Sequence, residues 1–244
     1  MIRRLIPLTA CLLATAACGS HGVARGDRVA ESIPIPPAEV TDFHYLYSRN
    51  CAGCHGSGGQ TGAAISLDDP LYLAIADDAT IRRVTAAGVP GTSMPAFARS
   101  SGGMLTDAQV DAIVSGMRSR WAKPDALGNV VPPPYSAKTP GDPAHGKVVF
   151  GVYCASCHGA GGRGGKASSI VNGSYLALVS DQDLRTVVIV GRPELGAPDW
   201  RGDVPNQPMS PQDISDVVAW LVSQRPQFPG QPYSSAVQSG GGVR

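Results

Sequence analysis

Cys51-Ala52-Gly53-Cys54-His55-Gly56 and, 103 residues further on, Cys154-Ala155-Ser156-Cys157-His158-Gly159 decide how this 244-residue chain is read. At the same offset and with no gap, Tyr72-Leu73-Ala74 falls on Tyr175-Leu176-Ala177, Asp78 on Asp181, Arg82 on Arg185 and Gly88 on Gly191, and Phe97 meets Trp200. One inserted residue later, Thr106-Asp107-Ala108-Gln109-Val110 corresponds to Ser210-Pro211-Gln212-Asp213-Ile214. Self-similarity at a fixed period marks repeated structural units. The expected organisation is two copies of one small domain, 39–123 and 141–229. A Pro-rich linker, 124–140, joins them and a tail, 230–244, follows. Pro132-Pro133-Pro134 and Thr139-Pro140-Gly141 exclude a helix through the junction.

Each copy reads as a string of helices. Val40, Phe43, Leu46 and Tyr47 lie at helical spacing over 39–51, and Val149, Phe150 and Tyr153 repeat the pattern. A middle pair begins near Asp69-Pro70 and Asp77, with aspartate as cap, and ends at Gly88. The last helix opens on a capping box, Thr106 with Gln109, and in the second copy on Ser210 with Pro211 in the tolerated first position. No strand-like alternation competes, so the predicted fold is all-α, twice over.

Two cysteines separated by two residues sit one helical turn apart, where both thiols can add to the two vinyl groups along one edge of a haem. The histidine that follows is then placed beneath the ring to bind iron, which makes Cys-x-x-Cys-His the attachment signature of c-type haem. Two covalently bound haem c groups are therefore expected, at Cys51, Cys54 and His55 and at Cys154, Cys157 and His158. All six cysteines are used in this reading: four in thioethers, and Cys11 and Cys18 in an N-terminal leader. A redox-active dithiol also uses Cys-x-x-Cys, but in a strand–helix setting that this pattern does not offer. A zinc site would recruit His44 and His145, which precede their motifs by unequal intervals of seven and nine residues and read better as solvated helix residues. The glycine-rich runs 56–62 and 159–165 lack the Gly-Lys-Ser/Thr ending of a phosphate loop and read as close-approach loops beside the haem.

A six-coordinate carrier needs a second axial ligand, and methionine sulfur favours ferrous iron and raises the potential. In the first copy Gly91-Thr92-Ser93-Met94-Pro95-Ala96-Phe97 offers a methionine on a loop, with Met104 as the alternative. At this point the sequence resembles the class I cytochrome c family, in which Cys-x-x-Cys-His near the N-terminus is paired with a Met-Pro loop before the C-terminal helix. The resemblance covers both copies and implies an all-α fold of two tandem class I domains, each wrapped around one haem. It implies His55 and Met94 as ligands of the first iron. It also implies single-electron transfer between respiratory partners, a quinol-oxidising complex or dehydrogenase as donor and an oxidase or soluble cytochrome as acceptor.

The second copy departs from the pattern. Ala197, in Gly196-Ala197-Pro198-Asp199-Trp200, stands where Met94 would align, and Met209 is that copy's methionine. Met209 is expected to supply the sixth ligand because Asn206-Gln207-Pro208 gives it a flexible approach, together with His158 on the proximal side. The competing reading makes Met209 a hydrophobic staple on Ile214, as Leu105 is on Val110, with the haem open or otherwise liganded. That reading keeps alive a diheme enzyme of the peroxidase or thiosulfate-oxidising type, with the second haem as reaction centre. Arg82 and Arg185 recur at one position and either meet haem propionates or face solvent. Trp200, Trp220 and Tyr47 are expected to pack against helices or porphyrin.

Thirty glycines and 21 prolines point to long shaped loops between short helices. Met1 to Arg4 is a short basic segment, Leu5 to Ala17 an apolar run too short to span a bilayer, and Cys18 follows Thr15-Ala16-Ala17. This is an export signal, 1–17, resembling a lipoprotein processing box that makes Cys18 the acylated first residue of the mature chain, with 18–38 as a tether. An ordinary cleaved signal leaving Cys18 a thiol is the alternative. Removing Arg3 and Arg4 leaves 18 basic against 19 acidic groups, and no basic cluster is interleaved with aromatics, which gives a nucleic-acid partner no electrostatic support. The expected location is the periplasm or outer face of the cytoplasmic membrane, through a lipid anchor.

Overall fold

The computed structural model describes residues 35–202, 204 and 206–226. The leader 1–17, Cys11, Cys18, the tether as far as residue 34 and the tail from residue 227 lie outside the described residues. Among those described there is no strand, and two isolated bridges, Ala98 with Leu105 and Arg192 with Ala197, are the sheet-like pairings. No described helix is long and apolar enough to cross a membrane.

Among the described residues, ten α-helices follow one another in two matching series. The first is α1 (Phe43–Asn50), α2 (Ala52–His55), α3 (Pro70–Ile75), α4 (Asp78–Ala87) and α5 (Asp107–Trp121). The second is α6 (Pro143–Tyr153), α7 (Ala155–His158), α8 (Gly173–Leu178), α9 (Asp181–Val190) and α10 (Pro211–Ser223). Short polar side chains start them by accepting from otherwise orphaned N–H groups. The Asp69 carboxylate takes Leu71 N at 2.7 Å and Tyr72 N at 2.9 Å, and Asp77 takes Thr80 N at 2.7 Å. Asn172 and Ser180 do the same for α8 and α9. Both capping boxes form, Thr106 with Gln109 and Ser210 with Asp213.

The first helix is shorter than its apolar spacing suggests. Pro36 and Pro37 put Pro37–Glu39 into a 3-10 turn, Val40 is extended, and Asp42 caps α1 through Tyr45 N at 2.7 Å. The Gln109 side chain fastens this approach, donating to the carbonyls of Pro37 and Val40 at 2.9 and 3.0 Å.

In each copy the opening and closing helices cross and bury the main core. Leu46 and Tyr47 meet Val110, Ile113 and Met117, while Val149 and Phe150 meet Ile214, Val217 and Trp220. Phe150 and Trp220 hold ring centroids 4.4 Å apart. The α6–α10 crossing is close enough to demand a residue without a side chain: a Cβ on Gly146 would lie 1.9 Å from the Asp216 carbonyl oxygen.

The aligned arginines turn out to have unlike partners. Arg82 pairs at the surface with Asp111 at 2.6 Å and Asp107 at 3.4 Å. Arg185 is 3% exposed and donates to the Pro134 and Tyr135 carbonyls and to Ser215 Oγ. The expected linker is thus pinned at 134–135 onto the second copy, with Gln182 adding a bond to Tyr135 O at 2.8 Å. His145, expected to be solvated, bonds Asp216 Oδ2 through Nδ1 at 2.8 Å, and this carboxylate raises its pKa.

Candidate haem-attachment sites

The two Cys-x-x-Cys-His segments fold alike, bond for bond. In the first, His55 N and Cys54 N donate to Cys51 O at 3.0 and 3.2 Å; in the second, His158 N and Cys157 N donate to Cys154 O at 2.9 and 3.2 Å. The single turn α2 puts the first thiol against the core and the second further out, Cys51 being buried and Cys54 exposed, whereas on α7 both Cys154 and Cys157 are partly exposed. All four are free of disulfides. Burial, helped by the neighbouring thiol, pushes Cys51 and Cys154 up to about 11, so each is a neutral thiol at physiological pH.

A glycine-rich loop then turns back under each histidine. Gly56 and Gly159 end the turns at φ 81° and 75°, a conformation open to residues without a Cβ. Ala64 N bonds Cys54 O at 3.0 Å and Ala167 N bonds Cys157 O at 2.9 Å. Leu67 N bonds Gly59 O at 2.7 Å and Ile170 N bonds Gly162 O at 3.0 Å. The outcome of this folding is one hydrogen bond in each copy. His55 Nδ1 donates to Ile65 O, and His158 Nδ1 to Ser168 O, both at 2.8 Å. A carbonyl can only accept, so the proton is on Nδ1 and the lone pair of Nε2 is left for a metal. Burial lowers the His55 pKa, with nearby Arg192 acting in the same direction, so the imidazole is in the neutral form that ligates.

Two free thiols one turn apart, beside an imidazole of fixed tautomer, fit covalent haem with an axial histidine at each site. Zinc fits less well. Among the described residues no three His, Cys, Asp or Glu side chains converge on a point, and His145 is bonded to Asp216.

The distal loops are where the copies part. After Gly88, Val89 N bonds Met94 O at 3.0 Å; after Gly191, Arg192 N bonds Ala197 O at 3.0 Å. Met94 is half-buried on its loop and Met104 is 84% exposed. Met209 has its backbone where Leu105 has, since Leu105 N bonds Phe97 O and Met209 N bonds Trp200 O, both at 2.8 Å. Leu105 and Met209 are each 6% exposed within the core.

The second copy's loop makes contacts that the sequence did not foreshadow. Arg192 Nε pairs with Glu194 Oε1 at 2.5 Å, and both side chains are mostly buried. From there Arg192 Nη2 donates to Gly62 O at 3.2 Å, and Ser66 Oγ donates to Glu194 Oε1 at 2.7 Å. Gly62 and Ser66 flank Ile65, so this pair grips the loop that orients His55. Burial works to raise the Glu194 carboxyl, but the bonds from Arg192 and Ser66 hold it below its ordinary value. The hint available beforehand was that Arg192, Pro193 and Glu194 replace Val89, Pro90 and Gly91 in the aligned loop.

Comparison with known proteins agrees with this geometry. The chain is 30% identical over 135 residues to the cbb3-type cytochrome c oxidase subunit CcoP of Azospirillum sp., covering 51% of this chain and 40% of that protein. It is 25% identical over 209 residues to the cytochrome bc1 complex cytochrome c subunit of Mycobacterium bovis, covering 80% and 70%. Against the cbb3-type cytochrome c oxidase subunit FixP of Sinorhizobium medicae it is 30% identical over 138 residues, covering 52% and 41%. The chain therefore spans about two fifths of the length of the two oxidase subunits. The family model described as cytochrome C oxidase, cbb3-type, subunit III matches twice, at residues 38–115 and 141–221, once over each motif. On that double match the chain belongs to this family and is a diheme c-type cytochrome with two covalently bound haem c groups.

Proposed function

We propose that this protein carries single electrons between respiratory redox proteins at the outer face of the cytoplasmic membrane, taking them from a quinol-oxidising complex or dehydrogenase and delivering them to an oxidase or soluble cytochrome. Cys51, Cys54, His55 and Met94 would hold the first haem, and Cys154, Cys157 and His158 the second. Haem iron supplies a one-electron couple whose potential is set by its axial ligands, their hydrogen bonds and burial. The observation that carries the reading is the duplicated bond from histidine Nδ1 to a loop carbonyl, His55 to Ile65 and His158 to Ser168. These bonds keep each imidazole in one tautomer and orientation, so that little has to rearrange when charge changes at the site.

The similarity to subunits named for a bc1 complex and a cbb3 oxidase supports a place between quinol oxidation and oxygen reduction. A lipid anchor at Cys18 would keep the protein at the membrane surface, since two acyl chains suffice for stable attachment. The test is expression of the full chain in a host competent in cytochrome maturation. Two haems per chain, a haem-stained band after denaturation and two one-electron steps in an anaerobic titration are expected, with Cys18→Ala releasing the protein into the soluble fraction. A colourless product with four alkylatable thiols in the two motifs would overturn the proposal.

A further inference from the structure

We infer that the sixth coordination position of the second haem is open to an exogenous ligand, a small diatomic π-acceptor such as carbon monoxide or nitric oxide, and that Met209 is a core residue. The inference rests on haem being bound at Cys154, Cys157 and His158, and it concerns which side chains of this copy face that group.

The register of the distal loop comes first. Gly88 and Gly191 end α4 and α9 at φ 66° and 74°, and a Cβ on either would strike the same proline-containing stretch, Pro95–Ala96 in one copy and Ala197–Pro198 in the other. With the matched bonds Val89 N to Met94 O and Arg192 N to Ala197 O, Ala197 occupies the backbone position of Met94. A methyl group stands there in place of a thioether, so the position has no donor atom.

The loop also has little freedom to bring in another donor. Arg192 and Ala197 exchange both of their backbone hydrogen bonds, at 3.0 Å each, and Arg192 and Glu194 are committed to Gly62 and Ser66 of the first copy. Asp199 is paired with Arg201.

Met209 is then accounted for without iron. Its N–H bond to Trp200 O, its 6% exposure and its place directly before a capping box all repeat those of Leu105, a residue with no metal-binding atom. It belongs to the same buried cluster as Ile214, which is fully buried. A position that leucine fills in one copy is an apolar packing position, and methionine suits it as a flexible hydrophobe. Among the described residues of this copy the other imidazole, His145, is bonded to Asp216.

The class of ligand follows from the lining. Alanine and proline at 197 and 198 offer neither charge nor a hydrogen-bond donor, and a histidine-ligated ferrous iron with an open face takes neutral diatomic π-acceptors. Gly196, Pro198 and Leu195 are exposed, which leaves the loop accessible from solvent.

The experiment uses the matured full-length protein, first quantified for two haems per chain; fewer than two would overturn the attachment reading and this inference with it. In dithionite-reduced wild type, one carbon monoxide per two haems is expected by difference spectroscopy, and the oxidised protein should show one high-spin and one low-spin haem by paramagnetic resonance. Met209→Leu should leave both results unchanged. Ala197→Met should make the second haem low-spin and weaken its carbon monoxide affinity at least tenfold, and Met94→Ala should raise the stoichiometry to two. Two low-spin haems without carbon monoxide binding in the wild type, or carbon monoxide binding that appears only in Met209→Leu, would overturn the inference.

Discussion

The proximal sides of the two copies share the hydrogen bonds that shape the motif and its following loop, whereas their distal loops share little beyond backbone register. The Cys-x-x-Cys-His turn, the glycine that follows it and the carbonyl that receives histidine Nδ1 recur at the 103-residue offset in every hydrogen bond described. The loop after the fourth helix carries Met94 in one copy. In the other it carries Ala197 and spends Arg192 and Glu194 on gripping the neighbouring copy. Two thioethers and a histidine ligand would fix one side closely, while the other would rest on a single side chain, so one substitution there would be enough to release its loop for other work.

The comparison can be broken most severely at the thiols. Cys154→Ala combined with Cys157→Ala should remove one of two haems while Cys51 and Cys54 retain the other, read by haem content and mass. Equal loss of both would mean that the copies do not mature independently.

Next in size is the contrast between the aligned arginines. Arg185→Ala leaves the Pro134 and Tyr135 carbonyls and Ser215 without their buried donor and should cost about 3 kcal/mol in chemical denaturation. Arg82→Ala, which breaks solvent-exposed pairs with Asp107 and Asp111, should leave the transition nearly where it was. Equal effects would remove the distinction drawn between them.

A smaller effect is expected at the grip between copies. Removing the Arg192 cation beside His55 favours the oxidised, more positive state, so Arg192→Ala should lower the potential of the first haem as well as that of the second, on whose distal loop Arg192 stands. A shift of up to about 59 mV, tenfold in a one-electron equilibrium, is the expected scale, and Arg192→Lys should recover part of it. A shift confined to the second haem would contradict the docking geometry.

A further effect depends on pH. Burial raises the Asp183 carboxyl to about 6, with Arg192 opposing. The folded state then holds a proton that the unfolded chain gives up near pH 4, so this group penalises folding increasingly as pH rises from about 4 through 6. Asp183→Asn should stabilise the protein at pH 7.5 by on the order of 2 kcal/mol and change little at pH 4. An equal gain at both values would mean that the carboxyl titrates normally.

The fold was legible wherever the signal was local. Caps at Asp69, Asp77, Thr106 and Ser210, the glycines at 88 and 191 and the motif itself each act over four residues or fewer. The start of α1 lies later than the apolar spacing suggests, because Val40 continues that spacing while the prolines before it place 37–39 in a 3-10 turn and Val40 itself is extended. Partners across the fold were hidden. Arg118 in α5 donates to the Leu73 and Ala76 carbonyls and pairs with Asp78, and Arg225 beyond α10 does the same with Leu176, Val179 and Asp181. These two arginines perform one task but stand 107 residues apart, about one helical turn out of step with the repeat. A self-comparison at a fixed offset passes over them, although a guanidinium long enough to reach the same carbonyls from the next turn is physically equivalent. The roles of Arg192 and Glu194 were hidden for a related reason, since their partners lie 130 and 128 positions away.

That long reach ties the first centre to distant chain. The carbonyl of Ile65, which orients the His55 ring, lies in a segment held from residues 192 and 194, so shortening the polypeptide before them would loosen that acceptor even with every residue of the first motif present.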